Sequence, residues 1–464
     1  MDDQERIAED EIPVDEEGYG LSRRDVSAIL QAVDMDDRNA LIELMEPLHA
    51  ADIADLLEQI DSHERRRLIA LYGVEFDGDI LSELDESIRE EVIGVLHPEV
   101  LADAVRELES DDVVDLLEDL EEPQQRAILG ALDDADRMVV RQALSYPEDS
   151  AGRLMQREVV AVPEHWSVGE AIDFMRGEDD LPEQFYHVIL VDPRHRPTGY
   201  VTLGKIMSAP RAQALQELTE DSFRTIPVDQ DEAEVAYAFN QYHLISTPVV
   251  DDEGRLAGVI TIDDAMIVLD EEHEEDILRM AGVSEEASLS DNVLNTLRGR
   301  ATWLFVNLIT AILASLVIDQ FSETINQMVA LAVLMPIVAS MGGNAGTQTM
   351  TVAVRAIATR DLTGQNAWRI IRRELVVGAL NGALFGLTMA LVAAFWFGVP
   401  MLAVVIGSAM LLTQTAAAFG GIAIPILLDR LRIDPALASG PFVTTVTDVV
   451  GFFAFLGLAA WVLL

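Results

Sequence analysis

The chain has 464 residues, half of them hydrophobic, and a formal net charge of −50. It contains no cysteine, which excludes disulfides, thiolate metal sites and cysteine nucleophiles. So large an acidic excess disfavours nucleic acid as a partner and invites divalent cations, although salt adaptation or simple solvation gives the same composition. The charge is uneven. After Leu297 come seven acids and nine Arg, a net of +2; the part before it holds the other 74 acids and 22 bases, a net of −52. A very acidic half is thus joined to a nearly neutral apolar half.

No signal-peptide pattern opens the chain, and the acidic, polar residues 1–20 are expected to be disordered. Residues 21–150 carry apolar residues at three- and four-residue spacing, which predicts helices. Leu48-His49 and Ala54-Asp55 recur 48 residues later as Leu96-His97 and Ala102-Asp103, and Asp52 to Glu58 recurs as Asp112 to Glu118. Short repeating helices predict a small superhelix. His49, His63 and His97 lack second ligands at metal spacing and are placed at helix starts.

A second repeat follows, with a period of 59. VILVDPRHRPTGYVTLGKIM from Val188 is matched by TPVVDDEGRLAGVITIDDAM from Thr247. Each copy reads strand, turn, strand, helix, preceded by an apolar strand and an amphipathic helix. The two units resemble a tandem pair of CBS domains, at 151–212 and 213–270. The resemblance implies ribose and phosphate contacts from a Gly-x-x-Thr-x-x-Asp run. The second copy supplies Gly258, Thr261 and Asp264, whereas the first has Lys205 at the acid's position. A purely structural scaffold is the alternative. Residues 271–297 form an expected connecting helix, acidic at its start.

Five apolar stretches are long enough to span a bilayer, at 302–318, 328–354, 375–397, 401–428 and 441–464. Arg298 and Arg300 flank the first. The connection between the second and third carries Arg355, Arg360, Arg369, Arg372 and Arg373, and that between the fourth and fifth carries Arg430 and Arg432. The other two connections carry no base. The positive-inside rule then places the acidic half in the cytoplasm and the C-terminus outside.

Two features in these spans carry chemistry. Asp448 is a lone carboxylate in an otherwise apolar stretch, where it costs several kcal/mol and reads as functional by default. The second span contains Pro336 and then Gly342, Gly343, Asn344, Gly346, Thr347 and Gln348. That run predicts a broken helix whose freed carbonyls face a cation's water shell; close packing through small residues is the alternative. Thr413-Gln414-Thr415 and Asn381 are secondary candidates. One acid with carbonyls and amides, and no His or Cys in the spans, suits a hard cation, Mg²⁺ ahead of Mn²⁺ and Ca²⁺.

Four motifs then carry a resemblance over nearly the whole chain. They are Tyr146-Pro147-Glu148-Asp149-Ser150-Ala151-Gly152, Gly342-Gly343-Asn344-Ala345-Gly346, Asp434-Pro435-Ala436-Leu437 and Thr444-Thr445-Val446-Thr447-Asp448. With the domain order, the chain resembles the MgtE family of magnesium channels and transporters. The resemblance implies a multidomain protein of the cell (inner) membrane. A helical superhelix domain and tandem α/β CBS domains lead through a connecting (plug) helix to an all-α transmembrane domain of five helices, at 298–464. It implies a homodimer, not an enzyme, whose pore holds hydrated Mg²⁺ at Asp448 with the carbonyls of 342–346. Acidic sensor positions follow at Asp264, Glu272, Glu275, Asp276 and Asp434, with Ile267 where a further acid is expected. ATP binding to the CBS pair is implied as well. A broad divalent carrier for Mn²⁺ or Co²⁺, a proton-coupled carrier and a membrane-anchored nucleotide or Mg²⁺ sensor are the competing readings.

Overall fold

In the computed structural model the described residues are 21–463, apart from 119, 121, 179–180, 183, 221–222 and 284–292. The expected acidic tail, and residues 284–292 of the expected connecting helix, lie outside them. The chain divides between Asp270 and Glu271 into two compact units.

The first unit begins with short helices, and their length has a simple origin. Seven of them start at Ala50, Ser62, Glu86, Pro98, Ser110, Glu122 and Asp134, all on one twelve-residue grid. The missing step is occupied by the tight turn Gly73–Glu75 and the helix Asp79–Ser82. The sequence offsets of 48 and 60 residues are four and five of these steps. The helices starting at Ala50, Ser62, Pro98 and Asp134 open on polar caps that satisfy otherwise orphaned N–H groups. The His49 and His97 Nδ1 atoms accept from the N–H groups of Ala51 and Glu99, and Asp61 Oδ1 accepts from His63 and Glu64. His63 is the second residue of its helix.

The carbonyl ends are closed by side chains reaching back. Arg65 Nε donates to Leu57 O at 2.7 Å and its Nη2 to Ile60 O; Arg137 repeats this on Leu129 O and Leu132 O. Arg65 is thereby buried with its charge satisfied, 4% exposed. One apolar core runs from Ile29 to Ala143 through this series.

The same unit holds two small sheets, one per copy of the 59-residue repeat. In the first, strand Ala161–Pro163 pairs in parallel with His187–Val191, which pairs antiparallel with Pro197–Thr202. In the second, Ile226–Pro227, Ser246–Val250 and Leu256–Thr261 do the same. The registers coincide residue for residue: His187↔Thr202 matches Ser246↔Thr261, and the irregularity falls at Leu190/Val191 and at Val249/Val250. The repeated His187 and Ser246 side chains meet each other through Nδ1 and Oγ.

The second unit contains five helices long and apolar enough to cross a membrane: Thr296–Asp319, Ala330–Ala358, Ala367–Phe397, Pro400–Arg430 and Gly440–Val462. The helix containing the third span has 31 residues, about 46 Å at about 1.5 Å per residue, against a hydrocarbon core of about 30 Å. Its ends therefore reach beyond the apolar layer. This corrects the expected placement of Arg369, Arg372 and Arg373, which stand on its first turns rather than in a loop; Arg355 likewise ends the second span. Trp396 and Trp461, near the opposite ends of the third and fifth spans from their Arg-bearing starts, are 61% and 83% exposed, as interfacial aromatics are.

The second span is a further correction. Ala330–Ala358 is one continuous helix through Pro336 and the glycines. Its carbonyls are engaged in the helical ladder and not freed. The glycines serve close approach instead. A Cβ on Gly342 would lie 2.7 Å from Thr413 Cγ2, and one on Gly346 would lie 2.7 Å from Val443 Cγ1 and 3.0 Å from Thr447 Cγ2. Gly378, Gly382 and Gly386 do the same on the third span, where added Cβ atoms would come within 2.6–2.8 Å of the fourth. Without a hydrophobic drive between helices in lipid, such small-residue stripes are what lets spans associate. The fourth span is the hub: 56% of its most apolar window is buried, against 6% for the first.

Packing of this kind predicts opposite outcomes at neighbouring glycines. Gly346→Val should destabilise the detergent-purified protein by roughly 1–3 kcal/mol through overpacking. Gly343→Ala, where nothing lies within 4 Å of the added Cβ, should be neutral or slightly stabilising. Thermal melting of the two variants beside the parent checks this; equal loss at both positions would refute the packing assignment.

Candidate cation path and carboxylate clusters

The residues singled out in the spans are brought together in part. Thr447 is fully buried beside Gly342 and Gly346, so the segment carrying Asp448 lies against the glycine face of the second span. Gly451, one turn on from Asp448, lies against Thr413 of the fourth span, with its Cβ position 3.2 Å from Thr413 Cγ2. Asp448 itself is partly exposed, and its carboxylate has no hydrogen bond or ion pair with any described residue. Thr445 and Thr447 turn their hydroxyls onto Pro441 O and Thr444 O.

Gly343 and Asn344 are placed differently. Asn344 is midway along the helix Ala330–Ala358, and with Thr347 and Gln348 it is exposed. A polar face at mid-span is costly against lipid and needs water or protein opposite it. The secondary candidates behave unlike one another. Thr413 and Gln414 are 1% and 2% exposed, yet Thr413 Oγ1 and Gln414 Nε2 find no partner. Thr415 donates to Leu411 O.

The sensor candidates fall into two groups, one in each unit. In the second unit, Glu272, Glu275, Asp276 and Arg279 share one face of the helix Ile262–Ala281 by their spacing of three, four and seven. Arg279 reaches Glu275 at 2.8 Å and Asp434 at 3.2 Å. Asp434 also caps the helix Pro435–Val462, its Oδ1 accepting from Ala436 N at 2.7 Å. Burial, and then the nearby Asp434, raise the Asp276 carboxyl above its usual range. Arg279 neutralises part of this cluster, a role its place four residues after Glu275 signalled.

In the first unit Asp264 does not stand alone. Its charge is felt by Glu109, Asp111 and Asp112 of the helical domain, where burial and then repulsion from neighbouring acids raise the carboxyls; at Asp264 burial leads, opposed by the Thr261 hydrogen bond and helped by Asp263. Glu109 and Asp112 are pushed up to about 7, Asp264 to about 6, and Asp111 well above its ordinary value. Asp263 and Glu158 add to the repulsion on Glu109. Sequence reasoning missed Glu109, Asp111, Asp112 and Glu158. The available signal was Ser110-Asp111-Asp112 at a helix start, where one capping acid would have sufficed. Three contacts hold this face together: Gln156 Nε2 with Glu109, Ser110 Oγ donating to Glu158 Oε2 at 2.8 Å, and Arg157 N donating to Ser110 Oγ at 2.8 Å. Among the described residues no three of His, Cys, Asp and Glu are gathered closely enough to hold a bare metal ion. The donor set is nonetheless all hard oxygen, which fits a divalent cation held through its waters.

The nucleotide candidates are brought together in part. Thr261 lines a small cleft between the two sheets. Its hydroxyl is bound to Asp264 Oδ2 at 2.7 Å. Gly258 packs against Met155 and Gln156. Lys205, the only lysine in the chain, is paired with Glu220 at 2.8 Å.

The chain matches three families: MgtE, described as a divalent cation transporter, over 335–458; the MgtE intracellular N domain over 48–149; and the CBS domain over 151–212 and 215–271. It is 31% identical to the magnesium transporter MgtE of Thermus thermophilus, over 93% of this chain and 97% of that one. It is 26% identical to the magnesium transporter MgtE of Bacillus subtilis, over 91% and 93%. A solved cytosolic domain of the Mg²⁺ channel MgtE in complex with ATP is 31% identical, covering 52% of this chain and 99% of that one with a TM-score of 0.49.

The carboxyl shifts fix a pH dependence. Folded-state values raised above the unfolded ones mean that the contact between the helical domain and the second sheet unit is strongest below about pH 4, and weakens as pH rises through about 6–7. Limited proteolysis at pH 7.5 should therefore be slowed by moving to pH 5.5. Asp111→Asn should mimic the low pH at 7.5 and slow cleavage there. Faster cleavage of that variant would contradict the cluster's repulsive character.

Proposed function

The chain belongs to the MgtE family, and from that premise we propose that it is a Mg²⁺-selective channel or transporter for magnesium uptake, closed by Mg²⁺ on its cytoplasmic side. The observation that carries this reading is Asp448: a membrane carboxylate without a protein partner, on a helix seated against the glycine face of the second span. A charge so placed needs a counter-ion. The shell around it is threonine, glycine and helical backbone, which supplies oxygen lone pairs to water better than it replaces water. The ion accordingly passes hydrated, with Asp448 attracting it and the second lone pairs of nearby carbonyls accepting from its waters.

The pore lies between two copies of the chain, each contributing an Asp448. Support comes from the open, polar mid-span face of Gly343, Asn344, Thr347 and Gln348, which a single chain leaves uncovered. The acidic half is in the cytoplasm and the C-terminus outside, a reading supported by the Arg residues at the span ends.

Control runs through the two carboxylate groups. At low cytoplasmic Mg²⁺, Glu109, Asp111, Asp112 and Asp264 repel and loosen their shared face, and Glu272, Glu275, Asp276 and Asp434 retain more negative charge than Arg279 balances. At high Mg²⁺ bound cations relieve both, order the connecting helix beside the last span and close the path. Several weak oxygen sites acting together give a cooperative response, in about the millimolar range typical of such sites. The role is transport and not catalysis.

Purified protein in liposomes tests the path. Asp448→Asn should lower Mg²⁺ flux at least about tenfold with the pH equal on both sides. Flux at the parental rate would overturn the assignment, and a requirement for a proton gradient would favour a carrier. Gating is tested by Asp276→Asn combined with Asp434→Asn, since Asn keeps the cap at 434. Closure should then need about three- to tenfold more internal Mg²⁺ while maximal flux is retained. An unchanged midpoint would remove these two residues from the sensor.

A further inference from the structure

The helical domain holds a cavity of about 290 Å³ that neither the carboxylate clusters nor the spans employ. Its floor is apolar, with Met45, Ile53 and Ile80. Three acids also line it: Glu46, Glu75 and Asp77, all exposed. Acids on an acidic protein would not by themselves mark a site. The further observation is Tyr72, which lines the same cavity, is 6% exposed, and makes no hydrogen bond to any described residue. Burial raises its hydroxyl above the ordinary range, followed by Glu75, Asp77 and Glu46. Those are the three acids of the cavity, so the hydroxyl faces it. Arg38 is the nearby base, 3.5 Å from Glu75, with both side chains about half exposed. One loosely held base leaves the three acids with an uncompensated charge of about two.

A hydrated metal ion would use the acids and waste the floor. An aromatic ring, an unpaired hydroxyl oxygen on a buried side chain, flanking carboxylates and an apolar floor together match a positive head on a short hydrocarbon stem. We propose that this cavity binds a small organic ammonium ion, its three N–H groups donating to two of the carboxylates of Glu46, Glu75 and Asp77 and to the Tyr72 hydroxyl oxygen, and its alkyl chain lying on Met45, Ile53 and Ile80. The volume is at the lower limit of ligand pockets, about 300 Å³, which favours a simple amine or diamine over anything larger.

Calorimetric titration of the full chain in nanodiscs with n-butylammonium chloride, at constant ionic strength, tests this. One saturable site per chain is expected, with ammonium chloride at least about tenfold weaker and n-butanol showing no binding. Glu75→Gln with Asp77→Asn should weaken n-butylammonium about tenfold. Tyr72→Phe, which keeps the ring and shape, should weaken it about threefold and decides the matter if the double variant does not fold. Glu99→Gln, an exposed acid on the helix Pro98–Glu107, should change nothing. Equal affinity for ammonium and n-butylammonium, or the same loss in Glu99→Gln as in the cavity variants, would mean diffuse counter-ion attraction and would overturn the site.

Discussion

Carboxylates held out of water beside other carboxylates are the constraint on which the rest of this molecule turns. A single acid in water is indifferent to its neighbours a few ångströms away, because solvent screens them. Burial removes that screen and makes each ionised group raise the cost of the next. At Glu109, Asp111 and Asp112 burial is the larger cause and repulsion from neighbouring acids the second, while at Asp264 burial leads, the Thr261 hydrogen bond opposes it and Asp263 adds repulsion. Such a contact is not stable on its own terms at neutral pH. It is completed by something positive, and the positive species can be a proton or a metal ion. Arg65, Arg89 and Arg137 are committed to closing helix ends, while Arg157, beside this face, keeps Nε and Nη2 buried without a partner among the described residues.

The membrane unit solves the opposite problem. Its helices have no hydrophobic reason to associate in lipid, so they meet through glycine. Gly342 and Gly346 let Thr447 come to the backbone of the second span, and Gly378, Gly382 and Gly386 seat the third span on the fourth. Close packing fixes the last helix rigidly enough to hold one carboxylate at depth without a protein partner. Thr413 and Gln414, buried with unmet polar atoms, lie in the same packed region. Unsatisfied groups there cost a few kcal/mol if dry, and ordered water is the natural remedy.

Much of the fold was legible because it repeats. The 59-residue period predicted two like sheets, and their registers agree even to the position of the irregularity. The echo of Leu48-His49 in Leu96-His97 was a true structural repeat, though its unit of twelve residues was hidden by the interruption near Gly73. The five spans were legible from hydropathy alone, and the added turns at their ends were not, because amphipathic helix continues past the apolar layer. Gly342 to Gly346 misled for a physical reason. Glycine permits both a broken helix and a tightly packed one, and only the partner surface of Thr413, Val443 and Thr447 decides between them. The cluster around Asp264 was half legible: the acid was visible, but its neighbours come from about 150 residues earlier in the chain, and no local pattern announces such a meeting.

The two kinds of site share one chemical consequence. A bare small divalent ion needs about six oxygen ligands at about 2.1 Å, and demands them in near-octahedral array. Neither the partnerless Asp448 nor the cytoplasmic carboxylates gather that many, and among the described residues no three acids or histidines converge on a point. On the proposed reading an ion met by this protein keeps most of its water. Under that condition discrimination rests on the size and stiffness of the hydrated ion rather than on its naked radius. Mg²⁺, which gives up water reluctantly, is the ion for which such a lining is sufficient. Softer ions that shed water and seek nitrogen or sulfur gain nothing here, because the spans offer neither histidine nor cysteine.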